Sequence, residues 1–232
     1  MVDIKNATLI YQGGKRALDA VSLNLSEGDT CAVLGANGAG KSSLLWAIMG
    51  LLELSGGEIL LDGVKVCKEN AKKVRSIASL VFQNSDDQLF FPSVVEDVSF
   101  GLINFGLNEA EAEMRCDELL GRFGISHLKY RQNQHLSDGE KKKVAICSSL
   151  ACSPKILLLD EPSALLDPRS KREMSEIVKS LEATVILTTH DIDFARSCCK
   201  YCLILKEGRR AAFGEACKLL SDDKLMFECS LA

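Results

Sequence analysis

Apolar and polar residues alternate along residues 2–11 and again along 17–25, with Gly13-Gly14-Lys15 between them, which predicts an antiparallel hairpin at the N-terminus. After residue 29 the apolar runs become short and almost unbroken. Thr30-Cys31-Ala32-Val33-Leu34, Ile77-Ala78-Ser79-Leu80-Val81-Phe82, Ile156-Leu157-Leu158-Leu159 and residues 183–188 carry the pattern of strands covered on both faces, and 57–63 reads as a further strand bounded by glycines. Between the second and third of these runs the period changes to that of helices, at about 95–105, 109–123 and 137–152. The second of them follows Asn108, with Glu109 and Glu111 in its first turn. Another helix is predicted from Pro168 to about residue 181. The pattern predicts an α/β fold in one domain spanning 1–232. Its core is drawn from about 1–83 and 153–232, with an N-terminal antiparallel β subdomain and an inserted helical subdomain at about 84–152.

Composition narrows the function. A chain of 232 residues with 47% hydrophobic and 26% charged residues has the makeup of a soluble globular protein with a substantial core. A net charge of −4 leaves no electrostatic footprint for nucleic acid or an anionic membrane, and Lys141-Lys142-Lys143 reads as a local solvated face. No apolar run approaches the roughly 18 residues of a membrane span, and residues 1–6 lack a secretory core, so a cytosolic chain is expected. The ten cysteines are scattered along apolar segments and read as reduced core residues. Cys199 and Cys202 form a lone C-x-x-C, half a zinc site without a second half.

The most informative stretch is Gly35-Ala36-Asn37-Gly38-Ala39-Gly40-Lys41-Ser42-Ser43, which fits G-x-x-x-x-G-K-[ST] between a predicted strand and a predicted helix. Glycines let several backbone N–H groups converge on phosphate oxygens, and the helix N-terminus adds partial positive charge. Lys41 is expected to bridge the β- and γ-phosphates of ATP, and Ser42 to offer its hydroxyl to Mg²⁺. Two carboxylates, Asp160 and Glu161, end an apolar strand, where burial is costly without a cation or hydrogen bonds. Asp160 suits Mg²⁺, and Glu161 suits the water that attacks the γ-phosphate. His190 ends the next strand, on the edge where open α/β sheets bind ligands. Gln83 ends another, and a side-chain amide there can ligate Mg²⁺ or hold a water. Tyr11 is open to two readings, a core tyrosine or an aromatic face for adenine. Ser137 and Glu140 have capping-box spacing, which by itself marks only a helix start.

Taken in order, the phosphate loop, Gln83, Leu136-Ser137-Asp138-Gly139-Glu140, Asp160-Glu161, Asp167 and His190 resemble the ATP-binding cassette ATPases over nearly the whole chain. The resemblance implies a P-loop NTPase with a RecA-like parallel sheet, pairing head to tail as a homodimer or heterodimer. Each ATP would lie between one subunit's loop and the other's signature helix. It implies that Tyr11 stacks on adenine, Ser137 and Gly139 reach the γ-phosphate in trans, Gln83 senses Mg²⁺ and a membrane partner, His190 holds the γ-phosphate, and Asp167 touches the opposing loop. Within the family, residues 82–101 and 136–146 are similar to ATPases of energy-coupling-factor importers, the cobalt- and vitamin-uptake type. These sit peripherally on the cytoplasmic face of the membrane. A transmembrane coupling subunit docks in them near Gln83 to Phe91, and a separate membrane subunit binds the cargo. Other ABC importers or exporters, and a non-hydrolysing partner in a heterodimer, are the alternatives. Asp138-Gly139-Glu140 stands where members usually read Gly-Gly-Gln, and Leu165 stands where they have glycine.

Overall fold

Alternation in the first 25 residues produces two long antiparallel strands, β1 (Val2–Ile10) and β2 (Arg16–Leu25), which turn Ile4, Leu9, Leu18 and Leu25 inward. The structure, a computed structural model, describes residues 1–231. Next come β3 (Thr30–Leu34), α1 (Lys41–Ile48), β4 (Gly56–Leu61) and β5 (Val64–Lys65). β4 pairs with β1, giving an antiparallel sheet of order β2-β1-β4-β5. The chain continues through α2 (Ala71–Ile77) and β6 (Ala78–Val81). Three helices follow with no named strand between them, α3 (Val94–Asn104), α4 (Glu109–Arg122) and α5 (Asp138–Leu150). Then come β7 (Ile156–Asp160), α6 (Pro168–Lys179), β8 (Thr184–Thr188), α7 (Ile192–Cys198), β9 (Tyr201–Lys206), β10 (Arg209–Glu215), α8 (Ala216–Leu219) and α9 (Asp223–Glu228).

The second sheet has the order β10-β9-β3-β8-β7-β6, parallel throughout except for the antiparallel edge strand β10. Its strands are apolar at successive positions because both faces are covered. Cys31, Val33, Ile156, Leu158 and Ile186 join the core beneath the antiparallel sheet and α1. Their neighbours Ala32, Leu34, Leu157, Leu159 and Leu187 join the core beneath the helices. Parallel pairing carries the C-terminal ends of β3, β6, β7 and β8 to one edge, the place where open α/β sheets bind ligands.

Each of the three central helices starts on a capping box, Ser93 with Glu96, Asn108 with Glu111 and Ser137 with Glu140, which satisfies N–H groups that a helix start leaves open. The three lysines of α5 depart from the expected solvated face. Lys142 is 4% exposed, with its ammonium on the Gln83 carbonyl, while Lys141 pairs with Asp86 at 2.6 Å and Lys143 with Glu173 at 2.8 Å. α5 packs over the turn that follows β6, so the middle lysine points inward, and burial lowers its pKa. The ten cysteines are free thiols, and Cys199 and Cys202 lie in the core, where the Cys198 thiol and burial push Cys199 well up. Among the described residues no three His, Cys, Asp or Glu side chains gather to hold a metal. Among them, too, no helix is long and apolar enough to cross a membrane.

Asp97 of α3 is 4% exposed, and its Oδ1 accepts the N–H groups of Phe90 at 3.2 Å and Phe91 at 3.4 Å. Burial pushes this carboxyl up to about 6, against the pull of those N–H groups and of the Asn133 amide. A carboxyl raised above its unfolded value favours folding while it is protonated, and that contribution is lost as pH rises through about 6. Wild type should therefore lose stability relative to Asp97→Asn between about pH 4 and pH 6. Thermal melts of the two proteins across that range check this, and parallel curves would contradict it.

Candidate functional site

The turn between β3 and α1 runs tightly under β2. Gly40, the N-cap of α1, has φ +104°, and a Cβ there would stand 2.5 Å from the Ala17 carbonyl oxygen, so only glycine fits. Gly35, Asn37, Gly38, Ala39 and Gly40 form the turn, with Ala39 buried beneath it. Lys41 is 8% exposed, and its ammonium donates to the carbonyls of Gly35 at 2.8 Å and Ala36 at 3.4 Å. A cavity of about 400 Å³ opens above the turn, bounded by Tyr11, Asn37, Lys41, Ser42, Glu161 and His190, with Gln83 at its rim. The Tyr11 hydroxyl is 2.8 Å from Ser43 Oγ, which fixes the ring beside the turn, half-buried.

Asp160 and Thr188 are paired across β7 and β8, and this register builds the floor of the site. Thr188 Oγ1 donates to Asp160 Oδ1 at 2.5 Å and accepts the Glu161 N–H at 2.9 Å. Ser42 Oγ donates to the same Asp160 oxygen at 3.1 Å, tying the turn to the carboxylate strand. Glu161 sits at φ +47°, a conformation that costs a non-glycine residue about 1–3 kcal/mol and is concentrated at functional sites. Its side chain is 9% exposed and lies 2.9 Å from Nδ1 of His190, whose own side chain is 68% exposed. A buried carboxylate held by an exposed imidazole beside an amide-lined turn can position a water against a phosphate. Thr188 is a site residue that the sequence pattern does not single out.

A family model described as ABC transporter matches residues 18–164. The chain belongs to the ABC transporter family. The energy-coupling factor transporter ATP-binding protein EcfA of Methanoculleus marisnigri is 38% identical over 235 residues, 100% of this chain and 85% of that protein. Among solved structures, CbiO1 from Clostridium perfringens, part of the ABC transporter complex CbiONQ, superposes with a TM-score of 0.87 at 37% identity, covering 99% of this chain and 94% of that one. A dimeric ATP-binding cassette in a post-hydrolysis state with ADP and Pi superposes with a TM-score of 0.85 at 29% identity, covering 93% and 99%. This ABC ATPase therefore has the family's α/β fold.

Three expected site residues of this ABC ATPase, Ser137, Gly139 and Asp167, do not border the cavity of their own chain. The Glu140 carboxylate turns back on Ser137, meeting its N–H and its hydroxyl at 2.8 Å each, and these donors hold it below the usual carboxylate range. One of the two acidic departures in the signature is thus spent on capping its own helix. Asp167 caps α6 through the Arg169 and Ser170 N–H groups at 2.8 and 3.1 Å and the Ser170 hydroxyl at 2.6 Å. Leu165, two residues earlier, is 90% exposed at φ +64°. Leu165→Gly should stabilise the isolated ABC ATPase by about 0.5–1 kcal/mol, the left-handed penalty less the extra chain entropy of glycine. A denaturant melt checks this, and a lowered midpoint would contradict it.

A second surface lies beyond Gln83. Phe90 is 71% exposed and Phe100 45%, and the Phe91 ring centroid is 4.8 Å from Phe100 and 5.9 Å from Phe90. Beside them Phe91, Phe100, Ile103 and Tyr130 line a groove of about 450 Å³.

Proposed function

We propose that this ABC ATPase is the ATP-binding subunit of an energy-coupling-factor importer, hydrolysing Mg·ATP at a head-to-tail dimer interface to drive uptake of a metal ion such as cobalt or nickel, or of a vitamin. The observation that carries this reading is the cavity joining Lys41 and Ser42 of the turn to Glu161 and His190 of the sheet edge, in a chain 38% identical to an EcfA protein.

In this reading the N–H groups of residues 35–43 wrap the β- and γ-phosphates, and the Lys41 ammonium exchanges its two carbonyl partners for phosphate oxygens. Tyr11 stacks on adenine. Ser42, Asp160 and Gln83 offer a hydroxyl, a carboxylate and an amide, hard oxygen donors that fit Mg²⁺. When bound there, Mg²⁺ would neutralise charge on the phosphates. Glu161 orients the attacking water and accepts its proton, Thr188 holds the Glu161 backbone, and His190 restrains the carboxylate and holds the γ-phosphate. Ser137 and Gly139 of one copy complete the cavity of the other, and Asp167 meets the opposing loop. Hydrolysis then waits on closure of the dimer.

The exposed aromatics from Phe90 to Phe100 receive a transmembrane coupling subunit, and a further membrane subunit binds the cargo, so the ATPase sits peripherally on the cytoplasmic face. Co-expression with candidate membrane subunits tests this. The expected result is a complex that survives purification, hydrolyses ATP and takes up cargo when reconstituted. Failure to assemble with any energy-coupling-factor membrane subunit, together with assembly on an exporter, would overturn it.

A further inference from the structure

Asp97 and Asn133 come from segments 36 residues apart and meet where the aromatic patch joins the approach to the signature helix. The Asn133 side-chain amide donates both to Asp97 Oδ2 and to the Phe91 carbonyl, the latter at 2.8 Å. Asp97 Oδ1 takes the Phe90 and Phe91 N–H groups, and the Asp97 carbonyl accepts the Ser148 hydroxyl of α5 at 3.1 Å. The surrounding backbones are laced together as well. Asn133 N–H reaches the Pro92 carbonyl at 3.2 Å, Val94 N–H the Arg131 carbonyl at 3.2 Å and Val95 N–H the Lys129 carbonyl at 2.9 Å. Leu136 N–H then bonds the Asn133 carbonyl at 3.2 Å, one residue before Ser137.

We infer that Asp97 and Asn133 form a positioning bridge through which occupancy of the aromatic patch sets the placement of the signature tip at Ser137 and Gly139. The inference rests on the docking role proposed above for that patch. Its physical basis is that neither residue is needed to fill the core. Burying a carboxylate is costly, and Asn133 Oδ1 is buried without a hydrogen-bond partner among the described residues, so the pair carries two unfavourable terms that an apolar contact would lack. What the polar pair provides in return is directional attachment. Phe90 and Phe91 cannot shift without moving Asp97, and Asp97 cannot shift without moving Asn133 and α5. A partner pressing on the rings thus moves the signature helix as part of one block, where a greasy contact would let the loop slide.

The test uses Asp97→Ala, Asn133→Ala and the double variant, each assayed for ATP hydrolysis alone and assembled with the membrane subunits. The bridge predicts basal hydrolysis close to wild type in all three and a loss of about fivefold or more in stimulation by the membrane subunits. The double variant should be no worse than either single one, because the two residues act as a unit. Full stimulation of Asp97→Ala or Asn133→Ala would overturn the inference, as would basal and stimulated rates falling together with the melting temperature. If wild type itself gains nothing from the membrane subunits, the docking assignment falls first and takes this role of the bridge with it.

Discussion

Glu161→Gln should leave ATP binding at its wild-type strength and reduce hydrolysis by about 10²–10⁴-fold, the range expected when a positioned proton acceptor is removed. The substitution keeps the shape of the side chain and removes its charge and basicity. The fold should tolerate it, because the Glu161 backbone is held through its own N–H by Thr188 Oγ1 and not through the carboxylate. An amide also still reaches His190 Nδ1, now 2.9 Å from Glu161 Oε2. Single-turnover hydrolysis beside a binding titration separates the two effects. A variant that hydrolyses at the wild-type rate removes Glu161 from the chemistry, and one that cannot bind ATP assigns it to binding instead.

Lys41→Ala acts earlier. The ammonium is 8% exposed and donates to carbonyls of its own turn, beside the N–H groups proposed to receive phosphate. Losing a charged hydrogen-bond donor is worth about 1.5–3 kcal/mol, which should weaken ATP binding by about 10- to 100-fold. Calorimetry on the purified chain measures this directly. Unchanged affinity would mean that the N–H groups of the turn suffice and the lysine serves only to brace them.

How much of this molecule could be read from the chain depends on whether the determining residues are neighbours in sequence. The phosphate-binding turn is legible because its glycines, lysine and serine are consecutive, and Asp160-Glu161 is legible because two carboxylates end an apolar run. Thr188 is not legible, since its importance comes from standing opposite Asp160 across two strands, a register invisible along the chain. The same holds for Asp97 and Asn133. Lys142 misleads because three lysines in a row look solvated, and only the packing of α5 over Gln83 turns the middle one inward. α2 escapes because Val74 is its one buried residue, which leaves no apolar stripe to detect. β10 escapes because it is a largely uncovered edge strand whose residues do not alternate. Leu165 is visible as a departure from a family pattern, but its left-handed backbone and near-complete exposure are structural facts that no spacing conveys.

As proposed, one chain supplies only part of the ATP site: Lys41, Glu161 and His190 line its cavity, and Ser137 and Gly139 are not among the lining residues. Sedimentation of Glu161→Gln with saturating Mg·ATP measures that claim most directly, because the variant holds the nucleotide without consuming it. The expected result is conversion from monomer to dimer on adding ATP, reversed by ADP and abolished by Ser137→Arg. A Glu161→Gln protein that binds ATP and remains monomeric, alone and beside its membrane subunits, would contradict it.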